Sequence, residues 1–380
     1  MAIRGGPDVI EEGLILAYDA ANPLCFRGEP TTNLASYTNG NASRGSWPYG
    51  VYTHSIETIG EFAGWEKIVA TSVGSATSNY IVYIGIFYPT LGVQYTGSIE
   101  FYSPYNNLKF EITGGQGIGS ATRIGSSNKY YRTFATSIST NMAWYLRTIA
   151  STPANTAITN GVIYYRRAQF EQKPYYTDFT IGTRGSTVAS GGGLIDLTGN
   201  GNDGEIIRAA SPSNSFYDGD GKGNLSFDGS NDYININSLT LTGNITVIAW
   251  IFMTSGGIYQ HVMDSSNNSW HLAISSSNRP YLYVGTWSNS GVQLSTSQWY
   301  MIAGVYDNDN STLKYYVNGD LSHSMTASVN LVTNNVNIGR WQTGGRYFNG
   351  SIAHSSIYNI ALSAEQIEHN YNATKGRYGL

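Results

Sequence analysis

Leu225-Ser-Phe-Asp-Gly-Ser-Asn-Asp-Tyr-Ile234 opens the part of the chain that decides its fold. Apolar residues alternate with polar ones on both sides of a Gly-Ser-Asn-Asp turn, which is the pattern of two strands joined by a tight turn. Two blocks of the same kind follow, at residues 299–319 and 337–353. Ser363-Ala-Glu-Gln366 has the spacing of a helix capping box, so one short helix is predicted to end at about Ala373.

Together these blocks resemble the concanavalin A-like, laminin-G-like lectin sandwich over residues 225–373. The resemblance implies two packed antiparallel sheets and a fold that mainly serves recognition and assembly. Hydrolytic members of this superfamily carry carboxylates commonly spaced Glu-x-Asp-x-x-Glu on one strand, and the sequence has no such string. Retaining glycoside hydrolysis needs two carboxyl groups about 5 Å apart. We therefore expect that the protein is not an enzyme.

A second segment interrupts this sandwich. In the lectin-like family, notably in structural proteins of tailed bacteriophages, an opening strand such as Gly13-Leu-Ile-Leu-Ala-Tyr-Asp-Ala-Ala-Asn-Pro23 runs quickly into an Asp-Leu-Ser-Gly-Asn-Gly-Asn segment. Here the matching piece, Leu194-Ile-Asp-Leu-Thr-Gly-Asn-Gly-Asn-Asp-Gly204, follows only after a long insertion. We predict an N-terminal arm (1–12), a discontinuous sandwich (13–30 plus 186–380) and an inserted domain (31–185). Three serial modules are the alternative.

The inserted segment has strand patterns of its own. Leu108-Lys-Phe-Glu-Ile112 alternates apolar and charged residues, and its closing stretch resembles the exit of jelly-roll modules in phage tail and fibre proteins, which resemble carbohydrate-binding modules. Residues 80–88 and 245–253 are apolar on both alternating faces, which predicts central strands. The predicted class is all-β: two antiparallel β-sandwiches, one inserted in the other, and one short C-terminal helix.

Composition limits the partners. Only 12% of the residues are charged and the net charge is −4, without a basic cluster, so nucleic acid is not expected as a partner. No apolar run approaches the ~20 residues of a membrane span. Cys25 is the single cysteine, and the first residues lack the apolar core of a signal peptide. A lectin-like chain of this kind fits a virion protein that is made in the host cytoplasm and released by lysis, and a chain whose export signal was removed is the alternative.

Aromatic residues are the predicted binding chemistry, because sugars stack their C–H faces on exposed rings. The candidates for contact with a glycan or another subunit lie near loops or strand ends: Trp270, Trp287, Trp341, Tyr259 and Tyr347 in the lectin-like part, and Trp47 and Trp65 in the inserted part. Rim packing is the alternative role for each ring.

Metal binding has weaker signals. Asp228, Asn231 and Asp232 could supply oxygens to a calcium ion, although Gly-Ser-Asn-Asp is also good turn chemistry. The six histidines fit no His-Glu-x-x-His or Cys/His pattern. No cofactor is therefore expected apart from a possible calcium ion.

These patterns and the phage resemblance together predict a non-enzymatic structural protein of a bacteriophage virion, either capsid decoration or part of a tail or fibre. The expected partners are other virion proteins, copies of the same chain and cell-surface polysaccharide. The alternatives are a secreted lectin or adhesin and, less favoured, a polysaccharide-degrading enzyme.

Overall fold

The computed structural model describes residues 7–22, 24–32, 50–73, 79–87, 94–102, 108–113, 122–123, 129–135, 142–148, 161–173, 183–209, 215–218, 223–237, 239–265, 269–286, 291–329, 331–333 and 335–380. The chain divides into two compact units. The first unit comprises Met1–Pro30, Gly185–Ala210 and Asn214–Leu380. The second unit comprises Thr31–Arg184 with Ser211–Ser213.

Both units are built almost wholly from strands. The first unit begins with β1 (Leu14–Asp19) and β2 (Phe26–Gly28). The second unit contains β3 (Thr31–Thr32), β4 (Gly50–Ile56), β5 (Glu66–Val73), β6 (Asn79–Phe87), β7 (Gln94–Tyr102), β8 (Leu108–Thr113), β9 (Thr122–Arg123), β10 (Lys129–Ala135), β11 (Met142–Thr148), β12 (Gly161–Glu171) and β13 (Thr183–Arg184). The first unit resumes with β14 (Gly193–Leu194), β15 (Glu205–Ile207), β16 (Tyr217–Asp218), β17 (Asn224–Asp228), β18 (Tyr233–Ile236), β19 (Leu241–Thr242), β20 (Ile245–Met253), β21 (Gln260–Ser265), β22 (His271–Ile274), β23 (Pro280–Tyr283), β24 (Trp299–Asp307), β25 (Thr312–Val317), β26 (Asp320–Thr326), β27 (Val332–Thr333), β28 (Val336–Ile338) and β29 (Asn349–Tyr358).

Two antiparallel sheets dominate the first unit. The larger has eight strands in the order β16-β17-β29-β20-β24-β25-β26, with β1 also paired to β29. The smaller has six strands in the order β15-β18-β28-β21-β22-β23. Apolar side chains from both sheets form one buried core, including Ile251 of the larger sheet and Leu272 of the smaller. The predicted all-β antiparallel class is confirmed.

Strand β20 is a central strand of the larger sheet, as its apolar pattern predicted. It pairs with β24 on one side and β29 on the other, and nearly every residue is buried. Val247 and Ile251 face the main core, whereas Ile248 and Trp250 face a second apolar cluster on the opposite side of the sheet. Both faces are therefore covered, which explains why the strand has no polar alternation.

Strand β1 joins the larger sheet by pairing with β29, although more than 300 positions separate the two in sequence. The Asn-Gly-rich segment after β14 packs beside it. Asp196 Oδ1 accepts a hydrogen bond from Ala17 N at 3.1 Å, and Leu197 N donates to Ala17 O at 3.0 Å. Asn202 Nδ2 donates to Ile15 O at 2.7 Å. Asp196 and Asn202 thus bond to the backbone of β1 instead of presenting their polar groups to a ligand.

The second unit contains a six-stranded sheet, β4-β5-β12-β7-β10-β9, and a three-stranded sheet, β6-β11-β8. Residues 80–88 were predicted to form a central strand. In the part of the chain that the structure describes, β6 pairs only with β11 and lies at the edge of its sheet. The prediction was wrong because an apolar pattern on both faces indicates only that both faces of the strand are covered. It does not indicate whether a neighbouring strand pairs with each of its two edges.

One α-helix, Ala364–Thr374, is found in the described residues, followed by the 3-10 helix Lys375–Tyr378; another 3-10 helix covers Val188–Ser190. Ser363 and Gln366 form the predicted capping box. Ile10 N donates to Asn370 Oδ1 at 2.8 Å and Val9 is buried, so this part of the predicted arm packs on the helix of its own unit. Among the described residues, no helix has the length and apolar character to cross a bilayer.

A buried charged group holds the end of β1 to the C-terminal 3-10 helix. Asp19 makes a bidentate ion pair with Arg377, with oxygen–nitrogen distances of 2.6 and 2.8 Å. Burial alone would raise the pKa of Asp19, but the Arg377 hydrogen bonds and the neighbouring His354 hold it below its usual value. Burial lowers the pKa of His354, and Arg377 lowers it further, against the opposing effect of Asp19. His354 is therefore a neutral ring in the folded protein.

This arrangement makes stability depend on pH. Since the folded pKa of His354 lies below its unfolded value, its contribution is complete above about pH 6.5 and is lost as the pH falls, by up to about 1.4 kcal/mol per pH unit. The Asp19 contribution is lost only at lower pH, below about 4. We expect urea unfolding at pH 7.5 and 5.5 to show a smaller pH effect in His354→Gln than in wild type. The exposed-ring variant His369→Gln should behave as wild type, and parallel pH curves for all three proteins would contradict the expectation.

Candidate functional site

The smaller sheet of the first unit has two chemically different faces. Its inner face is apolar and contributes to the core through residues such as Ile234, Met263 and Leu272. Its outer face carries polar and aromatic residues, which the strand register places on one side. They are Glu205, Tyr233, Asn235, His261, Asp264, His271, Tyr281, Tyr283 and Asn337. A sheet face of this composition is unusual for one that is largely buried, because buried polar groups need partners.

Two histidines and an aspartate meet at the centre of this face. Asp264 lies directly opposite His271 in the β21–β22 pair, and the register shifts between His261 and Met263. This β-bulge brings His261 to the same face as Asp264, although residues three apart in a regular strand point to opposite faces. His261 Nδ1 lies 2.6 Å from Asp264 Oδ2, and His271 Nδ1 lies 3.7 Å from the same oxygen.

All three side chains are shielded from water, with exposed fractions of 0%, 0% and 2%. Burial lowers the pKa of both imidazoles; the positive charge of Arg346 lowers both further, and His271 adds to the effect on His261. Burial raises the pKa of Asp264. A hydrogen bond from the backbone N–H of Gln342 and the positive charges of two arginines act in the opposite direction. The cluster therefore offers two neutral imidazole rings and one carboxyl group. We call it the His-Asp-His cluster.

A loop between β28 and β29 lies beside this cluster and exposes aromatic and cationic groups. Its ends are joined by the hydrogen bond from Phe348 N to Gly339 O at 2.8 Å, and its Arg346 O accepts from His261 N at 3.0 Å. The Arg346 guanidinium carbon lies 4.4 Å from the ring centroid of Trp341 and 5.2 Å from that of Tyr259. Both distances fall in the range of cation–π contacts. Tyr259, Trp341 and Arg346 are called here the aromatic–arginine patch.

Backbone strain marks the same loop. Arg346 has a φ of 48°, in the left-handed region that non-glycine residues rarely adopt. Such conformations persist where the surrounding contacts hold them, and they occur often at binding sites. Here the contacts are the two stacked rings and the backbone bond to His261. These contacts thus fix the loop as a partly exposed surface next to the buried His-Asp-His cluster.

The structure separates the predicted aromatic candidates into different groups. Tyr259 is 42% exposed, Trp341 is half-buried within the patch, and the half-buried Tyr347 follows Arg346 in the loop. Trp270 was predicted near the surface, but it is fully buried in the main core and has no face for a ligand. Trp287 and Trp47 lie outside the described residues.

Trp65 belongs to the second unit and is nearly buried. Its ring faces the Arg166 guanidinium at 4.1 Å and the edge of Phe62 at 5.4 Å between centroids. Phe62 also stacks on Tyr164 at 4.2 Å and contacts Tyr102, which is 37% exposed. The accessible ring of this aromatic group is therefore that of Tyr102, whereas Trp65 packs against Phe62 in the buried part of the group.

The predicted calcium residues use their oxygens within the protein. Asp228 Oδ1 accepts backbone hydrogen bonds from residues 230–232, which closes the turn between β17 and β18. Asn231 Oδ1 accepts from Ala209 N at 3.0 Å. Asp232 forms a bidentate ion pair with Arg208, at 2.9 and 3.0 Å. Each of the three residues thus uses at least one side-chain oxygen in the turn or in the ion pair.

One stretch of the first unit matches a known protein family. Residues 228–368 match the family described as the concanavalin A-like lectin/glucanases superfamily, and no curated protein matches the chain in sequence. A heptameric SAP-like pentraxin from Limulus polyphemus is similar in structure (20% identity, TM-score 0.33, 38% of this chain and 78% of that one). So is domain 4 of AbnA, a GH43 extracellular arabinanase from Geobacillus stearothermophilus solved with arabinotriose (19% identity, TM-score 0.39, 47% and 91%). By its match to the family model, the first unit contains a concanavalin A-like domain.

Proposed function

We propose that the concanavalin A-like unit binds glycans at the aromatic–arginine patch, without chemical conversion of the ligand. The observation that carries the proposal is the convergence of Tyr259, Trp341 and Arg346 on one partly exposed loop surface. The match of residues 228–368 to a lectin-containing superfamily supports it.

The chemistry of the patch suits a sugar. The open face of Tyr259 can stack on the C–H face of a pyranose ring, and Trp341 widens the apolar surface beside it. The Arg346 guanidinium holds several N–H donors that can reach hydroxyl or carboxylate oxygens. Because the rings already hold Arg346 in place, little side-chain entropy is lost when a ligand binds.

The neighbouring carboxyl group supports binding rather than hydrolysis. Asp264 has no exposed surface and faces two imidazoles, so it cannot reach a glycosidic oxygen in this structure. A polysaccharide-degrading enzyme is the competing proposal. Release of oligosaccharides from a polysaccharide ligand by the purified protein, abolished by one carboxylate substitution, would establish it.

The glycan proposal is tested with the full chain on a glycan array, followed by calorimetry with the best ligand. We expect Tyr259→Ala to weaken binding by about tenfold to a hundredfold, as for the loss of an aromatic hot-spot residue. The matched control is Tyr102→Ala, which removes a ring of similar exposure from the second unit. This control should bind as wild type.

Other outcomes discriminate the alternatives. If Tyr102→Ala loses binding and Tyr259→Ala does not, the glycan site lies in the second unit and the proposal for the patch is wrong. Absence of any bound glycan on a broad array would overturn glycan binding itself. Unchanged thermal unfolding in both variants is the control for folding.

We further propose that the protein is carried on a tailed-bacteriophage particle, as capsid decoration or as a tail or fibre component, in contact with other virion proteins and copies of itself. Its support is the phage-like opening strand and Asn-Gly-rich segment, together with a weakly charged composition in which 12% of residues are charged. Quantitative mass spectrometry of purified virions tests it. Many copies per particle indicate a head protein and few indicate a tail or fibre, whereas presence only in the medium favours a secreted lectin.

A further inference from the structure

We propose that the His-Asp-His cluster is a buried site for one divalent transition-metal ion of the zinc type. The cluster is formed by His261 and Asp264 of β21 and His271 of β22. This site is separate from the aromatic–arginine patch, and the proposal does not depend on glycan binding.

The geometry is close to that of a metal centre. One ligand atom from each of the three residues can be chosen so that all lie within 4.8 Å of one another. Two ligands of a tetrahedral zinc ion with bonds of about 2.0–2.1 Å lie about 3.3 Å apart. The measured separations of 2.6 and 3.7 Å from Asp264 Oδ2 to the two imidazoles lie on either side of that value. Small side-chain rotations therefore suffice, because paired strands already hold the three Cα atoms.

The burial of the cluster provides an independent argument. His261 Nε2 and Asp264 Oδ1 are inaccessible to water and, among the described residues, have no hydrogen-bond partner of normal geometry. Buried polar atoms in native proteins are nearly always satisfied by protein, water or an ion. A cation bound to Asp264 would attract the carboxylate strongly and could also be reached by its Oδ1, whereas His261 Nε2 lies on the far side of the ring from Nδ1 and is not a ligand in that arrangement.

The donor set selects the class of metal. Two imidazole nitrogens and one carboxylate oxygen suit zinc, cobalt, nickel or iron(II), whereas calcium and magnesium prefer oxygen ligands alone. Three protein ligands leave room for a fourth, such as water. The class is therefore different from the calcium ion considered from the sequence.

Two arginines lie near the cluster and could have neutralised Asp264, but their guanidinium groups stack on aromatic rings instead. Arg340 lies 3.6 Å over the ring of Tyr233, and Arg346 stacks on Trp341. Within the described residues, the ion-pair contacts of Asp264 are both to histidines. The positive charges oppose a cation, although the exposed position of Arg346 lets water screen its charge. The carboxylate thus remains directed at the two imidazoles.

The test uses the full chain, purified without a histidine tag, stripped with a chelator and then titrated with Co²⁺. We expect a visible absorption band of low-symmetry cobalt that saturates at about one ion per chain and is abolished by Zn²⁺. Elemental analysis after equilibration with zinc should give the same stoichiometry. Zn²⁺ should raise the melting temperature of the stripped protein, whereas Ca²⁺ and Mg²⁺ should not.

Matched variants locate the site. Asp264→Asn and His271→Gln should lose more than about a hundredfold in metal affinity, beyond the effect of changing an outer-shell partner. His369→Gln, which removes an exposed imidazole on the C-terminal helix, should bind as wild type. Equal binding by wild type and both cluster variants would place the metal elsewhere and overturn the proposal. If the variants do not fold, the wild-type protein alone provides the test. The absence of both a cobalt band and bound zinc in the folded wild-type chain would then overturn the proposal.

Discussion

Arg208→Met is expected to destabilise the first unit by about 3–5 kcal/mol, because it removes the counter-charge of two buried carboxylates. Arg208 Nη1 lies 2.9 Å from Glu29 Oε2, and its Nε lies 2.9 Å from Asp232 Oδ1. The exposed fractions of the three side chains are 3%, 4% and 0%. Methionine replaces much of the volume but leaves both acids in a low-dielectric environment. Urea unfolding followed by hydrogen-exchange mass spectrometry reports the two units separately and measures the loss.

The matched control removes a surface arginine from the same unit. Arg27 is exposed in β2, so Arg27→Met should change the free energy of unfolding by no more than about 0.5 kcal/mol. A triple variant, Arg208→Met with Glu29→Gln and Asp232→Asn, should recover part of the lost stability because no buried charge remains. If Arg208→Met unfolds at the wild-type midpoint, the network does not hold the segments around Glu29 and Asp232 together.

Trp250→Ala is the second large effect that we expect, again about 3–5 kcal/mol. Trp250 projects from the centre of β20 into the apolar cluster beneath the C-terminal helix. Its ring stacks on Tyr378 at 4.1 Å between centroids, and its Nε1 donates to Thr374 Oγ1 at 2.8 Å. Alanine would leave a cavity between the sheet and the helix. Hydrogen exchange of the Ala364–Thr374 amides should therefore accelerate more than exchange in the smaller sheet.

Trp250→Phe separates packing from hydrogen bonding. Phenylalanine keeps an aromatic ring against Tyr378 but removes the donor to Thr374, so a loss of only about 1–2 kcal/mol is expected. Thr374→Val tests the same bond from the other side. If Trp250→Phe and Trp250→Ala lost equal unfolding free energy, the larger cavity left by alanine would not destabilise the protein. That result would contradict the packing argument.

Much of the fold was predictable because its signals are local. Ser363 and Gln366 have the capping-box spacing, and the helix begins there. The apolar run of β20 predicted a strand covered on both faces, as found. The edge position of β6 was not predictable, because a strand's own residues do not record how many neighbours it pairs with.

The candidate site was only partly predictable. Tyr259 and Trp341 stood out because large rings near loops suggest a binding surface, whereas Trp270, equally near a loop, is in the core. The spacing His261-x-x-Asp264 argues against a shared face in a regular strand, so the cluster could not be inferred. The only available signal was proximity in sequence, since His271 follows His261 by ten positions and Asp264 by seven.

By itself, the sequence determined the all-β class, the lectin-like blocks and the capped C-terminal helix, since alternation and capping act between near neighbours in the chain. The tertiary structure alone decided that β1 pairs with β29, and that His261, Asp264 and His271 meet. The physical reason is the same in both cases. Strand pairing joins residues far apart in sequence, and a single β-bulge reverses which face a side chain occupies, so neither result is encoded in local periodicity.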